Sequence, residues 1–301
     1  MNFEARGSTF EHRTSNIELL SSAALRSIIQ AALEEDGAHR DVTTQALVPP
    51  DQRGSGSVVA KKEGVVCGLP IAAATFAALD SSVRVEPLVP EGAAVAPGDA
   101  VARVEGPLAP ILSGERVALN FLQRLSGIAT ATRRLVDAVA GLDVRIVDTR
   151  KTTPGLRPLE RYAVRVGCGH NHRFNLSDGV LIKDNHLAAA RARGLTIPDV
   201  IEQARRAVPH TMQIEIEVTT VDEAREAFAA GADAILLDNM PLDAMRQAVA
   251  LAKGRALIEA SGGVTLENVR AIAETGVDRI SVGGITHSAP ALDISLELET
   301  R

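Results

Sequence analysis

The sequence predicts an α/β fold in two parts: short strands between helices up to about residue 110, then a (β/α) barrel of parallel strands. Two observations carry this. From Val144 onward, short apolar runs alternate with amphipathic stretches, the order that produces parallel strands joined by crossover helices. Before residue 110 the apolar runs are separated by Gly and Pro turns, and one of them alternates with period two.

The first ~12 residues are polar and are expected to fray. Ser22–Glu35 has helical spacing, with Leu25, Ile28, Ile29, Ala32 and Leu33 on one face. Asp41-Val-Thr-Thr leads to a break at Val48-Pro-Pro. Ser57-Val-Val-Ala, Gly64-Val-Val-Cys-Gly, Val83–Val89 and Ala100–Glu105 read as strands, with Pro97-Gly-Asp as a turn. Ile111–Val139 is helical again, through Leu119, Leu122, Leu125 and Ile128. The later strands are Val144–Val147, Gly179–Ile182, Gln213–Val218, Ala234–Leu237, Ala256–Glu259 and Arg279–Val282. Helices are expected at Ile197–Val208, Val221–Ala230, Leu242–Ala252 and Leu266–Glu274, the last with Thr265 as its N-cap. The division falls at 1–110 and 111–301, with the C-terminal residues candidates to return to the first part.

Composition excludes several classes. The chain has 301 residues, 46% of them hydrophobic but only 2% aromatic, so the core is aliphatic and stacking platforms for single strands are not expected. A net charge of −6 disfavours nucleic acid and anionic membranes as partners. Cys67 and Cys168 make no disulfide framework, and no apolar run is long enough for a membrane span, so a cytoplasmic protein is expected.

Barrel chemistry sits at the C-terminal ends of the strands. There the sequence places Asp148-Thr149-Arg150-Lys151, then Lys183-Asp-Asn-His186, then Glu215 and Glu217, then Asp238-Asn239, then Ser261-Gly262-Gly263, then Gly283-Gly284. Residues 145–183 hold eight basic and three acidic groups, a local balance of +5 in an acidic chain, which marks a small anionic ligand. Arg161 and Arg165 have the spacing of a solvated helix face. Gly pairs late in a barrel suit a phosphate, because they let the backbone N–H groups approach it. Glu217 and Asp238 end adjacent strands; they suit Mg²⁺ shared with substrate oxygens, sugar hydroxyls or a developing positive charge, or else they are ion-pair partners for Lys183 and Arg150. His170 and His172 lie among arginines, which argues against a bound cation there.

These residues carry a resemblance. Gly114-Glu-Arg116-Val-Ala-Leu-Asn, Asp148-Thr-Arg-Lys-Thr-Thr-Pro-Gly-Leu-Arg157, Asn171-His-Arg173, Leu181-Ile-Lys-Asp-Asn-His, Glu215-Ile-Glu217, Leu236-Leu-Asp-Asn, Glu259-Ala-Ser-Gly-Gly and Thr286-His-Ser, in this order, resemble the quinolinate phosphoribosyltransferase family over nearly the whole chain. Two departures, Gly167-Cys168-Gly169 for a Gly triplet and His39-Arg40-Asp41-Val-Thr for Gly-Asp-x-Thr, remove no charged site residue. The resemblance implies an N-terminal α/β sandwich domain and an incomplete α/β barrel. It implies transfer of a phosphoribosyl group from phosphoribosyl pyrophosphate to quinolinate with loss of CO₂, in NAD biosynthesis, with Mg²⁺. It implies that Thr149, Arg150, Lys151, His172 and Arg173 hold quinolinate, that Lys183 contacts phosphate, and that Glu217 and Asp238 sit by the ribose and the metal, with Lys151, Glu217 and Asp238 as the catalytic set. Ser261, Gly262, Gly263, Gly283 and Gly284 would cradle the 5′-phosphate. Arg116 would reach the site of a neighbouring subunit in a homodimer, and the sequence leaves open whether dimers form hexamers.

Three other readings are distinguishable. A Schiff-base lyase would use Lys183, which has Asp184 beside it and arginines nearby. A fold relative associated with oxyanion transport would not need the whole Arg150, Lys151 and Arg173 set. A non-catalytic sugar-phosphate binder would bind without turnover.

Overall fold

The computed structural model describes residues 22–252 and 254–299. The stretch expected to fray lies outside them. The described residues divide into two compact units, one of 22–133, 152–168 and 285–299, the other of 134–151, 169–252 and 254–284. The boundary expected at residue 110 falls inside one long helix, and the C-terminal residues group with the first unit.

In the first unit, helix α1 (Ser22–Asp36) and the short α2 (Val42–Leu47) precede β1 (Arg53–Ala60) and β2 (Gly64–Val65). Asp41 starts α2 by accepting the Thr43 and Thr44 amides at 3.1 and 3.0 Å. Then come α3 (Leu69–Leu79), β3 (Arg84–Pro87), β4 (Ala94–Val95), β5 (Ala100–Pro107) and α4 (Leu108–Ala138). A four-stranded antiparallel sheet has the order β12-β1-β5-β3, where β12 is Ile294–Glu299. Beneath it Val58, Val101, Val104, Ile111, Leu119, Leu122 and Ile294 form one aliphatic core. Each such side chain contributes about 1.5–3 kcal/mol when fully buried, and Phe76 is the one aromatic among the cluster's buried residues.

The strand β12 explains the return of the C-terminus. Leu292 N–H donates to the Gln123 carbonyl at 2.9 Å. At Gly127 of α4 a Cβ would lie 2.0 Å from the Pro290 carbonyl oxygen, so only glycine permits this approach. Helix α5 (Arg157–Val166) also belongs here. It buries Arg161 and exposes Arg165, so the expected solvated face holds for only one of the two arginines. Arg124 pairs with the fully buried Glu160 of α5 at 2.9 Å.

The second unit holds β6 (Arg145–Val147), β7 (Val180–Ile182), β8 (Ile214–Val218), β9 (Ala234–Asp238), β10 (Leu257–Ser261) and β11 (Arg279–Ser281). All pair in parallel, in the order β6-β11-β10-β9-β8-β7. Six strands are fewer than the eight of a complete barrel. The crossover segments are α6 (Asp184–Arg191), α7 (Ile197–Ala207), α8 (Val221–Ala229), α9 (Leu242–Ala252) and α10 (Val269–Ala273). Here one expectation is corrected. The last helix begins at Val269, not Leu266; Thr265 N–H donates to Asn268 Oδ1 at 2.8 Å, so Thr265 opens a turn instead of capping a helix. A four-residue helix α11 (Gly284–His287) follows β11.

Between the two edges of this sheet runs the segment after residue 169. His170 bridges to Val147 on β6. Three residues on, Arg173 donates to the Gly179 carbonyl at 3.1 Å, just before β7. The segment is therefore held at both edge strands.

Candidate active site

The strand register decides which residues share the inner face. Side chains alternate along a strand, and residues paired across parallel strands point the same way. Glu217, Leu236 and Glu259 are in register across β8, β9 and β10, and Asp238 pairs with Ser261 two residues further on. Glu215 has the parity of Glu217. All five residues of β8, Ile-Glu-Ile-Glu-Val, are buried. A strand with two glutamates and no exposed face must hold both in a polar interior.

At the C-terminal end of β6, Asp148 is wholly buried. Its carboxylate accepts the His172 amide at 2.8 Å and the Asn171 side-chain amide at 2.5 Å. The backbone agrees: His170 N–H donates to the Ile146 carbonyl at 2.8 Å, and Asp148 N–H to the His170 carbonyl at 3.0 Å. So Asp148 serves to clamp the 170–172 segment onto β6. The next residues turn, with Lys151 N–H on Thr149 Oγ1 at 3.1 Å. Arg150 is half-buried and Lys151 exposed.

His172 lies between two glutamates. Its Nε2 is 3.2 Å from a Glu215 oxygen and 3.4 Å from a Glu259 oxygen. Glu259 is 1% exposed. Burial opposes a charge on the ring, but the two carboxylates outweigh it and push the His172 pKa up to about 10. The Arg173 amide also approaches Nδ1, at 2.7 Å, a contact that suits a neutral ring. A charged ring carries a proton on Nδ1 and gives up that contact, and the raised pKa means that the two carboxylates at Nε2 outweigh it.

Arg173 is held below its ordinary pKa, first by burial and second by the charge of Arg150. The charge of Arg150 thus acts on Arg173, with Glu215 acting in the opposite direction. Lys183 ends β7, and its ammonium pairs with Glu217. Its backbone N–H donates to His186 Nδ1 at 2.9 Å, at the start of α6.

Asp238 and Asn239 end β9. Asn239 has a left-handed backbone (φ 51°), and its side chain donates to Asp238 at 3.0 Å. Gly262, at φ 90°, faces it: a Cβ there would lie 2.3 Å from Asn239 Oδ1. Gly263 is left-handed too, at φ 58°. Gly283 and Gly284 follow β11.

One unit thus brings Thr149, Arg150, Lys151, His172, Arg173, Lys183, Glu217, Asp238, Ser261, Gly262, Gly263, Gly283 and Gly284 to the strand ends of one sheet or the segment tied to it. Of the ion pairs expected for Glu217 and Asp238, the one between Glu217 and Lys183 is formed. Arg116 belongs to the other unit, exposed on α4 beside a cleft of about 490 Å³ that Asp36, Arg40, Asp41 and Ser113 also line.

Similarity to known proteins agrees with this arrangement. Residues 41–126 match the quinolinate phosphoribosyl transferase N-terminal domain, and residues 128–297 its C-terminal domain. The chain belongs to the quinolinate phosphoribosyltransferase family. It is 44% identical to a probable nicotinate-nucleotide pyrophosphorylase [carboxylating] of Bacillus subtilis, over 91% of this chain and 93% of the relative. It is 41% identical to the mitochondrial quinolinate phosphoribosyltransferase [decarboxylating] 2 of Nicotiana glauca, over 92% of this chain and 82% of the relative. The crystal structure of NadC from Streptococcus pyogenes superposes with a TM-score of 0.87 at 41% identity, covering 91% of this chain and 96% of that one.

The residues not singled out from the sequence are Asp148 as a clamp, Asn239 as a partner of Asp238, and the pairing of Glu215 and Glu259 with His172. For the glutamates a signal existed, since the parity of Glu215 and Glu217 puts both on one face. Asp148 was visible as a strand-end residue, but nothing local marks its clamping role, because its partners lie more than twenty residues away.

Among the described residues, no helix is long and apolar enough to cross a membrane.

Proposed function

We propose that the chain transfers the phosphoribosyl group of phosphoribosyl pyrophosphate to quinolinate and decarboxylates the product to nicotinate mononucleotide. The observation that carries this is the gathering of Arg150, Arg173 and the half-buried His172 at one strand end, where the charge of Arg150 helps to hold the Arg173 pKa down. Like charges held together against their repulsion are relieved by an anion, and two guanidiniums suit the two carboxylates of a planar ring. Relatives with this family's enzyme names do not favour the reading as a non-catalytic binder.

The steps divide among the residues. Arg150, Lys151, His172 and Arg173 orient the pyridine dicarboxylate, with Thr149 shaping the turn that carries Lys151. The ring nitrogen forms a bond to C1 of the ribose as the C1–O bond to pyrophosphate breaks, the electron pair leaving with pyrophosphate. Glu217 and Asp238 stabilise the positive charge that builds on the sugar. CO₂ then leaves from the ring carbon beside the nitrogen. Its bonding electrons stay on that carbon, stabilised by the quaternary nitrogen, until a proton replaces it. Lys183, released from Glu217, takes a phosphate oxygen. Gly262, Gly263, Gly283 and Gly284, with Ser261, receive the 5′-phosphate on backbone N–H groups.

Glu217 and Asp238 are hard oxygen donors near the end of adjacent strands, a set that fits Mg²⁺ held partly by substrate oxygens. An ion held there would supply positive charge to offset that of the departing pyrophosphate. Arg116 is assigned to the site of a second subunit in a homodimer. Pyrophosphate release with quinolinate, and none with nicotinate, is the expected result; release with nicotinate alone refutes the assignment. Mixing Arg116→Ala chains with chains carrying Lys183→Ala is expected to restore part of the activity that each lacks alone.

A further inference from the structure

Buried carboxylates need an account of their own, because each costs several kcal/mol unless a partner offsets it. Glu217 has Lys183. Glu215 and Glu259, one on β8 and one on β10, both face the His172 ring instead, at 3.2 and 3.4 Å. Glu215 Oε1 and both Glu259 oxygens are buried without a hydrogen-bond partner of ordinary geometry. The ring they face belongs to a segment fixed at two further points: the His172 amide on Asp148 and the Arg173 guanidinium on the Gly179 carbonyl.

We propose that Glu215 and Glu259 are positioning residues for the transfer reaction: they pin the His172 ring from the barrel interior and so set the place of His172 and Arg173 under the ring dicarboxylate. The proposal rests on the assignment of those two residues to quinolinate. Neither glutamate touches substrate. Two anions beneath one imidazole hold it in a single orientation and supply the countercharge that lets Arg150, Arg173 and His172 crowd together before the dicarboxylate arrives. Without them, three cations would share one small site, and the segment would relax away from β8 and β10.

The same three side chains place ligand atoms within 4.8 Å of one another, a spacing that a divalent cation could also use. The neighbouring guanidiniums disfavour it, and a ring proton at Nε2 occupies the direction that a metal would need.

The test uses the full chain with Glu215→Gln and Glu259→Gln, which keep shape and remove charge. The expected result is a rise of about tenfold or more in KM for quinolinate, with KM for phosphoribosyl pyrophosphate changed less than about twofold. Glu259→Asp is expected to recover part of the loss. In wild-type protein near pH 8, ¹⁵N spectra of the His172 ring, assigned with His172→Asn, are expected to show both nitrogens protonated. This second measurement holds even if the variants fail to fold. Equal changes in both KM values, or an unchanged quinolinate KM in a folded variant, overturn the proposal. So does a neutral wild-type ring, or a stoichiometric divalent metal that the variants lose. If wild-type protein itself releases no pyrophosphate with quinolinate, it is the functional assignment that fails; activity with unaltered KM values in the variants sinks this proposal alone.

Discussion

Asp148 and His172 are joined through the backbone: the buried carboxylate at the end of β6 accepts the His172 amide at 2.8 Å, while the imidazole turns toward two glutamates. The strand end thereby fixes a loop residue 24 positions later in sequence. Replacing Asp148 by Asn turns one acceptor into a donor aimed at an N–H group. The expected cost is about 1.5–3 kcal/mol in stability, the range for a hydrogen bond to a charged group. A raised quinolinate KM should accompany it. Urea denaturation and steady-state kinetics check the two halves separately.

Gly262 constrains the neighbouring strand end. Its φ of 90°, and the 2.3 Å that would separate an added Cβ from Asn239 Oδ1, leave no room for alanine. Gly262→Ala is expected to cost about 1–3 kcal/mol from backbone strain and to displace Asn239, and with it Asp238. Its kinetic signature should be a higher KM for phosphoribosyl pyrophosphate, with quinolinate affinity retained. Asn239→Ala in the same chain should relieve the clash and recover stability; no recovery means that the strain lies elsewhere.

The contrast between these two sites shows what the sequence makes readable. Asp238, Ser261, Gly262 and Gly283 were legible because each sits directly after an apolar run, where barrel chemistry gathers. Four of the six parallel strands begin one residue inside the run expected for them, as β8 does at Ile214. Helix α3 was not legible: Leu-Pro-Ile-Ala-Ala-Ala is apolar all round, so it has no stripe to reveal its period. Helix α5 was hidden for the opposite reason, since its buried face includes Glu160 and Arg161, which read as solvent-facing. Strand β12 pairs with β1 across more than 230 residues, a relation that no local pattern carries. The His172 cluster joins three segments in the same way, so its members were visible singly and their meeting was not.

Arg150 follows the clamp on β6, and its charge acts on Arg173 at the site assigned to the dicarboxylate. Arg150→Ala is expected to weaken quinolinate binding by ~2–4 kcal/mol, because it removes one member of a charge-assisted pair from a partly desolvated site. Lysine at the same position should recover only part, as an ammonium cannot bind a carboxylate with two parallel N–H groups. Calorimetric titration with quinolinate gives the difference directly. An unchanged affinity would place the carboxylates away from this guanidinium.

The charge on His172 also ties stability to pH. The ring faces Glu215 and Glu259, while Arg173, next to it, faces Arg150 and Glu215. Its pKa rises from the ordinary 6.5 to about 10, so the folded chain holds the ring proton more tightly than the unfolded chain does. The resulting stabilisation is fully present below 6.5 and is lost as pH rises through about 10. Unfolding free energy should therefore decline across that interval, and His172→Asn should flatten the decline, since it removes the titrating ring and keeps a polar side chain. The two curves are measured by urea denaturation at several pH values. Parallel curves for the wild type and the variant would assign the slope to some other group.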